Sequence, residues 1–411
     1  MKKILTAVAA LVLSMSVLSA QEYKWYGFIR NYVTYDSHEG KSGTEDFFYY
    51  LPYDNPNYGT KLEDPYAIST LRYASLTSRL GLDVTGYKVN DWTVGAKIEA
   101  DFYSGVSGVT GTAQFRLRQA FMTMAKNDWT LKRGQAWHPM AADMPDVISL
   151  NTGAPFGPFS RTPLASADVK LSDSVTLTGA AVWQMQYTSC GPNGSSANYM
   201  RFGMLPELYL GLSVKDGGFL GRVGVDVLSI KPRAYNTKTG AYEAGASKVS
   251  DRITMPILFA YAQYSKDLFS VKAKTAYAQG GDHLCLNGGY GVSAINTDGS
   301  WEYCPTTNSS SWVSLKYGKT VQGVLFAGYV KNFGTKDEVS TLYFSKNSYS
   351  NMTQMYRLSP TVLYNLGKVQ FGLEYELTGV QYGTKLVKGL ATENLHWIAN
   401  NRLQFMAKYT F

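Results

Sequence analysis

Residues 400–411 read NNRLQFMAKYTF. Leu403, Phe405, Ala407, Tyr409 and Phe411 stand on one parity, and Arg402, Gln404, Met406, Lys408 and Thr410 on the other. A strand sends alternate side chains to opposite faces, so this stretch has an apolar, aromatic face and a polar, charged one. Two readings follow: the closing strand of a barrel whose outer wall is apolar, or an edge strand of a soluble sandwich. The rest of the chain has to choose between them.

The same alternation recurs upstream. Trp25, Gly27, Ile29, Val33 and Tyr35 oppose Tyr26, Arg30 and Thr34. Leu80, Leu82 and Val84 oppose Tyr73, Arg79 and Asp83, with Arg72 out of step and expected at the rim. The clearest run sets Trp92, Val94, Ala96, Ile98, Ala100 and Phe102 against Thr93, Gly95, Lys97, Glu99, Asp101 and Tyr103. A fourth sets Phe115, Leu117 and Phe121 against Gln114, Arg116, Arg118 and Met122. Further runs continue to the end, with connections that are alternately short and long. That is the pattern of a transmembrane antiparallel β-barrel with long extracellular loops and short periplasmic turns. The count is about sixteen strands of the length a tilted spanning strand needs.

Composition agrees. The chain holds 31 Tyr, 18 Phe, 8 Trp and 39 Gly, with only 17% charged residues. Aromatic residues suit the two membrane interfaces, and Gly suits strands joined by tight turns. Mean hydropathy is slightly negative because apolar residues come at every second position. At the start, Lys2 and Lys3 precede an apolar run and the small pair Ser19-Ala20, so residues 1–20 are expected to be a signal peptide. Its removal takes those two lysines and lowers the formal charge from +8 to +6. Residues 21–411 then form one barrel domain. Nucleic acid is not an expected partner, because no recognition motif occurs in this exported chain.

In such a barrel the inner parity lines a lumen. The basic candidates are Arg30, Arg79, Arg116, Arg118, Lys272, Lys274, Arg357, Arg402 and Lys408; the acidic ones are Glu99, Asp101, Asp226, Glu374 and Glu376. Arg116 and Arg118 are two apart, so they point the same way about 7 Å from each other. Arg79 joins them from the adjacent run, with Glu99 and Asp101 between as counter-charges. Cross-strand ion pairing is the structural alternative for these arginines. The irregular segment 138–160 is the third long loop; its likeness in position to the third loop of general porins implies that it folds inward as a constriction, with an ordinary surface loop as the alternative. Its Asp143 and Asp146 would then face the basic wall and set a transverse field.

The runs SRLGLDV (78–84), VGAKIEADF (94–102), RLRQAF (116–121) and RGQAWHP (133–139) resemble the N-terminal half of the DcaP-like and phosphate-selective O/P-type trimeric porins. The likeness covers about the first third of the chain; beyond it the agreement is in rhythm. It implies a sixteen-stranded homotrimer in the outer membrane, embedded in lipid, that passes small hydrophilic or anionic solutes by passive diffusion. Arg79, Arg116 and Arg118 would be the anion-facing wall. The terminal Phe411 resembles the signal that the barrel-assembly machinery reads.

Other chemistry finds little support. His38, His138, His283 and His396 fall in loops or near loop ends, no nucleophile elbow occurs, and an enzyme is not expected. No ligand spacing marks a metal site, and no cofactor motif occurs. Cys285 and Cys304 flank a Gly-rich segment where a disulfide would form in an oxidising compartment, leaving Cys190 free; unpaired cysteines are the alternative. The remaining class is a non-conducting structural or adhesive barrel whose lumen is plugged by loops.

Overall fold

The computed structural model describes residues 21–43, 47–75, 77–106 and 109–411. The expected signal peptide, residues 1–20, lies outside them.

Sixteen antiparallel strands close into a barrel. The first, β1 (Glu22–Asp36), pairs with β2, which is broken into Thr70–Ala74 and Arg79–Val89. The wall continues through β3 (Trp92–Val106), β4 (Val109–Lys126), β5 (Trp129–Trp137), β6 (Arg161–Lys170) and β7 (Val175–Val182). Then come β8 (Glu207–Asp216), β9 (Phe219–Ile230), β10 (Ile253–Lys266), β11 (Phe269–Gln279) and β12 (Trp301–Gly318). The last four are β13 (Val321–Thr335), β14 (Met352–Leu366), β15 (Val369–Val387) and β16 (Leu390–Thr410). Closure is by β1 on β16, in register from Phe28 opposite Thr410 to Asp36 opposite Arg402. Phe411 extends that seam, exchanging backbone hydrogen bonds with Gly27.

The short connections all lie at one end. Asn90, Asn127, Gly217, Asp267 and Gly367 open them with positive φ, the left-handed geometry that matches a hairpin's twist. Outside the wall, an apolar belt includes Ile29, Ile98, Leu210, Leu258 and Leu373, each about half or more exposed. Aromatic residues flank it. Trp25, Trp129, Tyr317 and Tyr409 stand towards the short turns, and Tyr35, Tyr73, Phe333 and Tyr356 towards the long loops. A belt with two aromatic girdles is the lipid-facing surface of an outer-membrane barrel.

Two breaks in the ladder reverse the parity expected from alternation. Between Ala74 and Arg79 the register on β1 shifts by one, from Tyr32 opposite Ala74 to Phe28 opposite Arg79. Tyr73 therefore faces out, 69% exposed, and Arg72 lies opposite the buried Thr34. A bulge in β4 near Arg118 and Gln119 does the same, so Met122 faces out while Phe121 packs against the buried core. The run beginning at Val175 ends at Val182, where residues 183–206 leave the wall.

The interior is packed on one side. Ile257, Phe259 and Tyr261 of β10, Trp312 of β12 and Phe326 of β13 form the wall of a buried cluster. Met140, Ile148, Leu150, Phe156 and Phe159 of the 138–160 segment fill it. The first long loop enters as well: its hairpin pairs Gly40–Gly43 with Phe48–Pro52, and Phe48 to Leu51 are buried.

Candidate functional site

The position of the 138–160 loop decides what remains of the lumen. Its backbone carries donors that must be satisfied inside the barrel. Glu374 on β15 accepts the Ile148 and Ser149 N–H groups at 2.9 and 3.0 Å, and Glu376 accepts from the Asn151 amide at 3.0 Å. Arg357 on β14 donates to Ala154 O at 3.0 Å and to Tyr50 O of the hairpin at 2.7 Å, tying both inserts to one wall. Phe156 lies over Gly328, where a Cβ would stand 2.5 Å from the ring, so only a glycine leaves room.

The loop's acids are held as firmly. Asp143 pairs with Arg222 at 2.9 Å, and Asp146 with both Lys272 and Lys316 at 2.9 Å. Burial opposes ionisation of Asp146, but the two ammonium groups outweigh it and hold its carboxyl below the ordinary range. Lys274 donates to Met140 O at 2.8 Å. Asp143 and Asp146 thus face the cations of β9, β11 and β12 and anchor the loop there. They do not face Arg79, Arg116 and Arg118.

What stays open is the side of the lumen bounded by β1 to β6. A cavity of about 310 Å³ lies there, with Met144, Leu150, Phe159 and Phe48 on the insert side. Arg30, Arg79, Arg116, Arg118 and Arg161 line the wall side. A wider cavity of about 710 Å³ shares Arg116, Arg161 and Tyr187 with it and adds Lys41 and Lys346.

Glu99 and Asp101 lie beneath three of the five arginines. Arg116 grips Asp101 with two bonds of 2.9 Å; Arg118 reaches Glu99 at 2.7 Å and Asp101 at 2.8 Å; Arg79 approaches Glu99 at 3.6 Å. Forked guanidinium–carboxylate pairs fix the planes of these groups as well as their charge. Glu99 and Asp101 are buried and line neither cavity, whereas all five arginines line the narrower one. Arg116 also stacks 3.7 Å over Tyr103.

The other two arginines have no carboxylate partner among the described residues. Arg30 donates to Thr77 Oγ1 at 2.8 Å and lies 4.9 Å over the Phe28 ring. Arg161 lies 4.6 Å over Trp137 and 5.6 Å from Phe159, and no ion pair reaches it among the described residues. Among the described residues, five guanidiniums against two carboxylates leave an excess of three positive charges, with Lys408 opposite Arg30 in register.

Arg402 belongs elsewhere. It is 1% exposed, pairs with Asp36 at 3.1 Å and donates to Phe47 O, so the inserted hairpin covers it and it does not line the opening. Cys285 and Cys304 are free, as is Cys190, and all three are buried; no disulfide staples that segment. Arg161 was not among the residues singled out from the sequence. Alternation with the buried Leu164 would send it outward, and it reaches the lumen only because it stands where the loop re-enters the wall.

No protein-family model matches this chain, and no curated protein matches it. Solved structures share its fold. The outer-membrane channel DcaP of Acinetobacter baumannii superposes with a TM-score of 0.66 at 20% identity, over 96% of this chain and 98% of that one. The loop L8 deletion mutant of OmpT, an outer membrane protein of Vibrio cholerae, gives 0.54 at 12% identity over 96% and 100%. Salmonella typhi OmpF, in complex with daunomycin, gives 0.53 at 11% over 95% and 97%. With the lipid-facing belt, this likeness makes the chain an outer-membrane β-barrel of porin fold.

Proposed function

We propose that this barrel is a porin that passes small hydrophilic solutes down their own gradient and prefers anions. The observation that carries the preference is the pair of guanidiniums without carboxylate partners, Arg30 and Arg161, in the narrow cavity beside Arg79, Arg116 and Arg118. An anion entering there meets an excess of positive charge fixed in place by buried Glu99 and Asp101, and a cation meets the same excess as a barrier. The acids of the constriction loop are spent on Arg222, Lys272 and Lys316, so selection rests on the arginine wall rather than on a transverse field.

Three further features belong to this reading. The barrel works as a homotrimer, residues 1–20 direct its export, and the Phe411 end is what the barrel-assembly machinery engages. The extent of the insert favours one competing reading, a plugged barrel of structural or adhesive function.

Planar-bilayer recording of the refolded protein separates the two. Conductance steps in threes, with a reversal potential of anion-selective sign under a salt gradient, support the porin. A folded protein that leaves the bilayer silent supports the plug.

A further inference from the structure

Away from the arginine wall, His138 at the root of the constriction loop meets Glu207 of β8 and Asp226 of β9. His138 Nε2 lies 3.0 Å from Glu207 Oε1 and 3.7 Å from Asp226 Oδ1. His283, in the turn Asp282–Leu284, brings its Nε2 to 3.2 Å from the same Glu207 oxygen. One ligand atom each from His138, Glu207 and Asp226 falls within 4.8 Å of the others. All four side chains are 0–1% exposed.

Two observations set this apart from an ordinary polar network. Both oxygens of Asp226 lack a hydrogen-bond partner although the residue is wholly buried, and a buried carboxylate is costly unless it is compensated. Glu207, Asp226 and the adjacent Asp282 bring three carboxylates, and no lysine or arginine ion pair reaches them among the described residues. The Met140 N–H donates to His138 Nδ1 at 3.2 Å, and Nε2 is the nitrogen turned to the carboxylates.

We propose that His138, Glu207 and Asp226 form a structural site for a divalent transition-metal cation of the zinc class, with His283 bonded to Glu207 behind them. Imidazole nitrogens with carboxylate oxygens suit such ions, whereas calcium and magnesium favour oxygen alone. Zinc bonds of about 2.0–2.1 Å in a tetrahedron place neighbouring ligand atoms about 3.3 Å apart, and the observed separations of 3.0 and 3.7 Å straddle that value. Asp282, 3.9 Å from His283 Nδ1 and holding the Cys190 N–H, orients the second imidazole from behind. The ligating nitrogen and carboxylates must be free of protons, so binding tightens as pH rises and loading releases protons. Once bound, the ion ties the base of the constriction loop to β8 and β9. The ligands come from three separate segments, so no local spacing in the sequence announces them.

The test uses the full folded barrel, stripped with a chelator and then titrated with zinc alone. Metal analysis after dialysis should find about one zinc per chain, with heat that varies with buffer as protons are released. Asp226→Asn should weaken binding by about tenfold or more; should that variant fail to fold, Glu207→Gln is read in its place. Zinc well below one per chain in the wild type overturns the site. So does binding that is unchanged in a folded variant, because the metal then sits elsewhere.

Discussion

Replacing Arg161 by Gln removes a positive charge that no carboxylate among the described residues offsets, and it should cost the pore much of its preference. An anion in contact with the guanidinium, about 4 Å away, gains about 1 kcal/mol if the cavity behaves as bulk water and about 4 kcal/mol at an effective dielectric of about 20. Arg161 is only 3% exposed and lies between Trp137 and Phe159, so the aqueous figure is the lower bound. A loss of about 1 kcal/mol is about fivefold in anion occupancy. The anion-to-cation permeability ratio should therefore fall at least about fivefold in dilute salt. The fall should shrink as ionic strength rises and the Debye length drops from about 10 Å to about 3 Å. Bilayer reversal potentials at low and high salt read both effects. Arg161→Lys is the control, since it keeps the charge while giving up the flat stack on Trp137. An Arg161→Gln barrel that folds normally and keeps the wild-type reversal potential would refute the assignment of selectivity to this wall.

The loop anchors give three more expectations. Asp146→Asn leaves Lys272 and Lys316 without their shared carboxylate and should destabilise the loop's docking by about 1–3 kcal/mol, read as larger or noisier single-channel conductance. The Asp146 carboxyl is held below its ordinary range in the folded protein, so its contribution is complete above the unfolded value of about 4 and is lost as pH falls through the lowered one. Conductance should accordingly be steady from neutral pH to about 5 and change only in stronger acid, and Asp146→Asn should lack that acid step. Gly328→Val drives a side chain into the Phe156 ring and should cost about 1–3 kcal/mol, visible as a lower midpoint in heat-modifiability on gels.

Much of the wall was legible. The Trp92 to Phe102 alternation needs no tertiary information, because a membrane barrel must put apolar groups on one parity and leave the other for the lumen. The turn at Asn90-Asp91 was equally plain, since left-handed geometry favours those residues. Alternation failed where the backbone changed phase. One extra residue between Ala74 and Arg79 turned Tyr73 outward, and the bulge at Arg118 and Gln119 exchanged Phe121 with Met122. A bulge leaves no reliable mark in a sequence.

The interior was harder to foresee. A polar inner parity was the natural expectation for a water-filled barrel, yet Ile257, Phe259, Trp312 and Phe326 point in because the loop covers them. The direction of the loop follows from pairings hundreds of residues apart, such as Ile148 with Glu374 and Ala154 with Arg357. Those pairings put Asp143 and Asp146 against cations other than the ones first matched to them, and they left Arg161 at the opening against its parity. Arg402 and Glu376 carry the same inner-parity signature as Arg79 and Glu99. The inserts bury the first pair, whereas Arg79 borders the cavity with Glu99 buried beneath it.

The central claim is an open pore with an anion-preferring wall, and liposome swelling with size-matched solutes tests it most directly. Vesicles carrying the refolded barrel should admit a small organic anion faster than its neutral analogue, and the neutral analogue faster than a cation of equal size. Equal rates for all three would contradict the arginine wall as the selector, and no swelling beyond protein-free vesicles would contradict the pore.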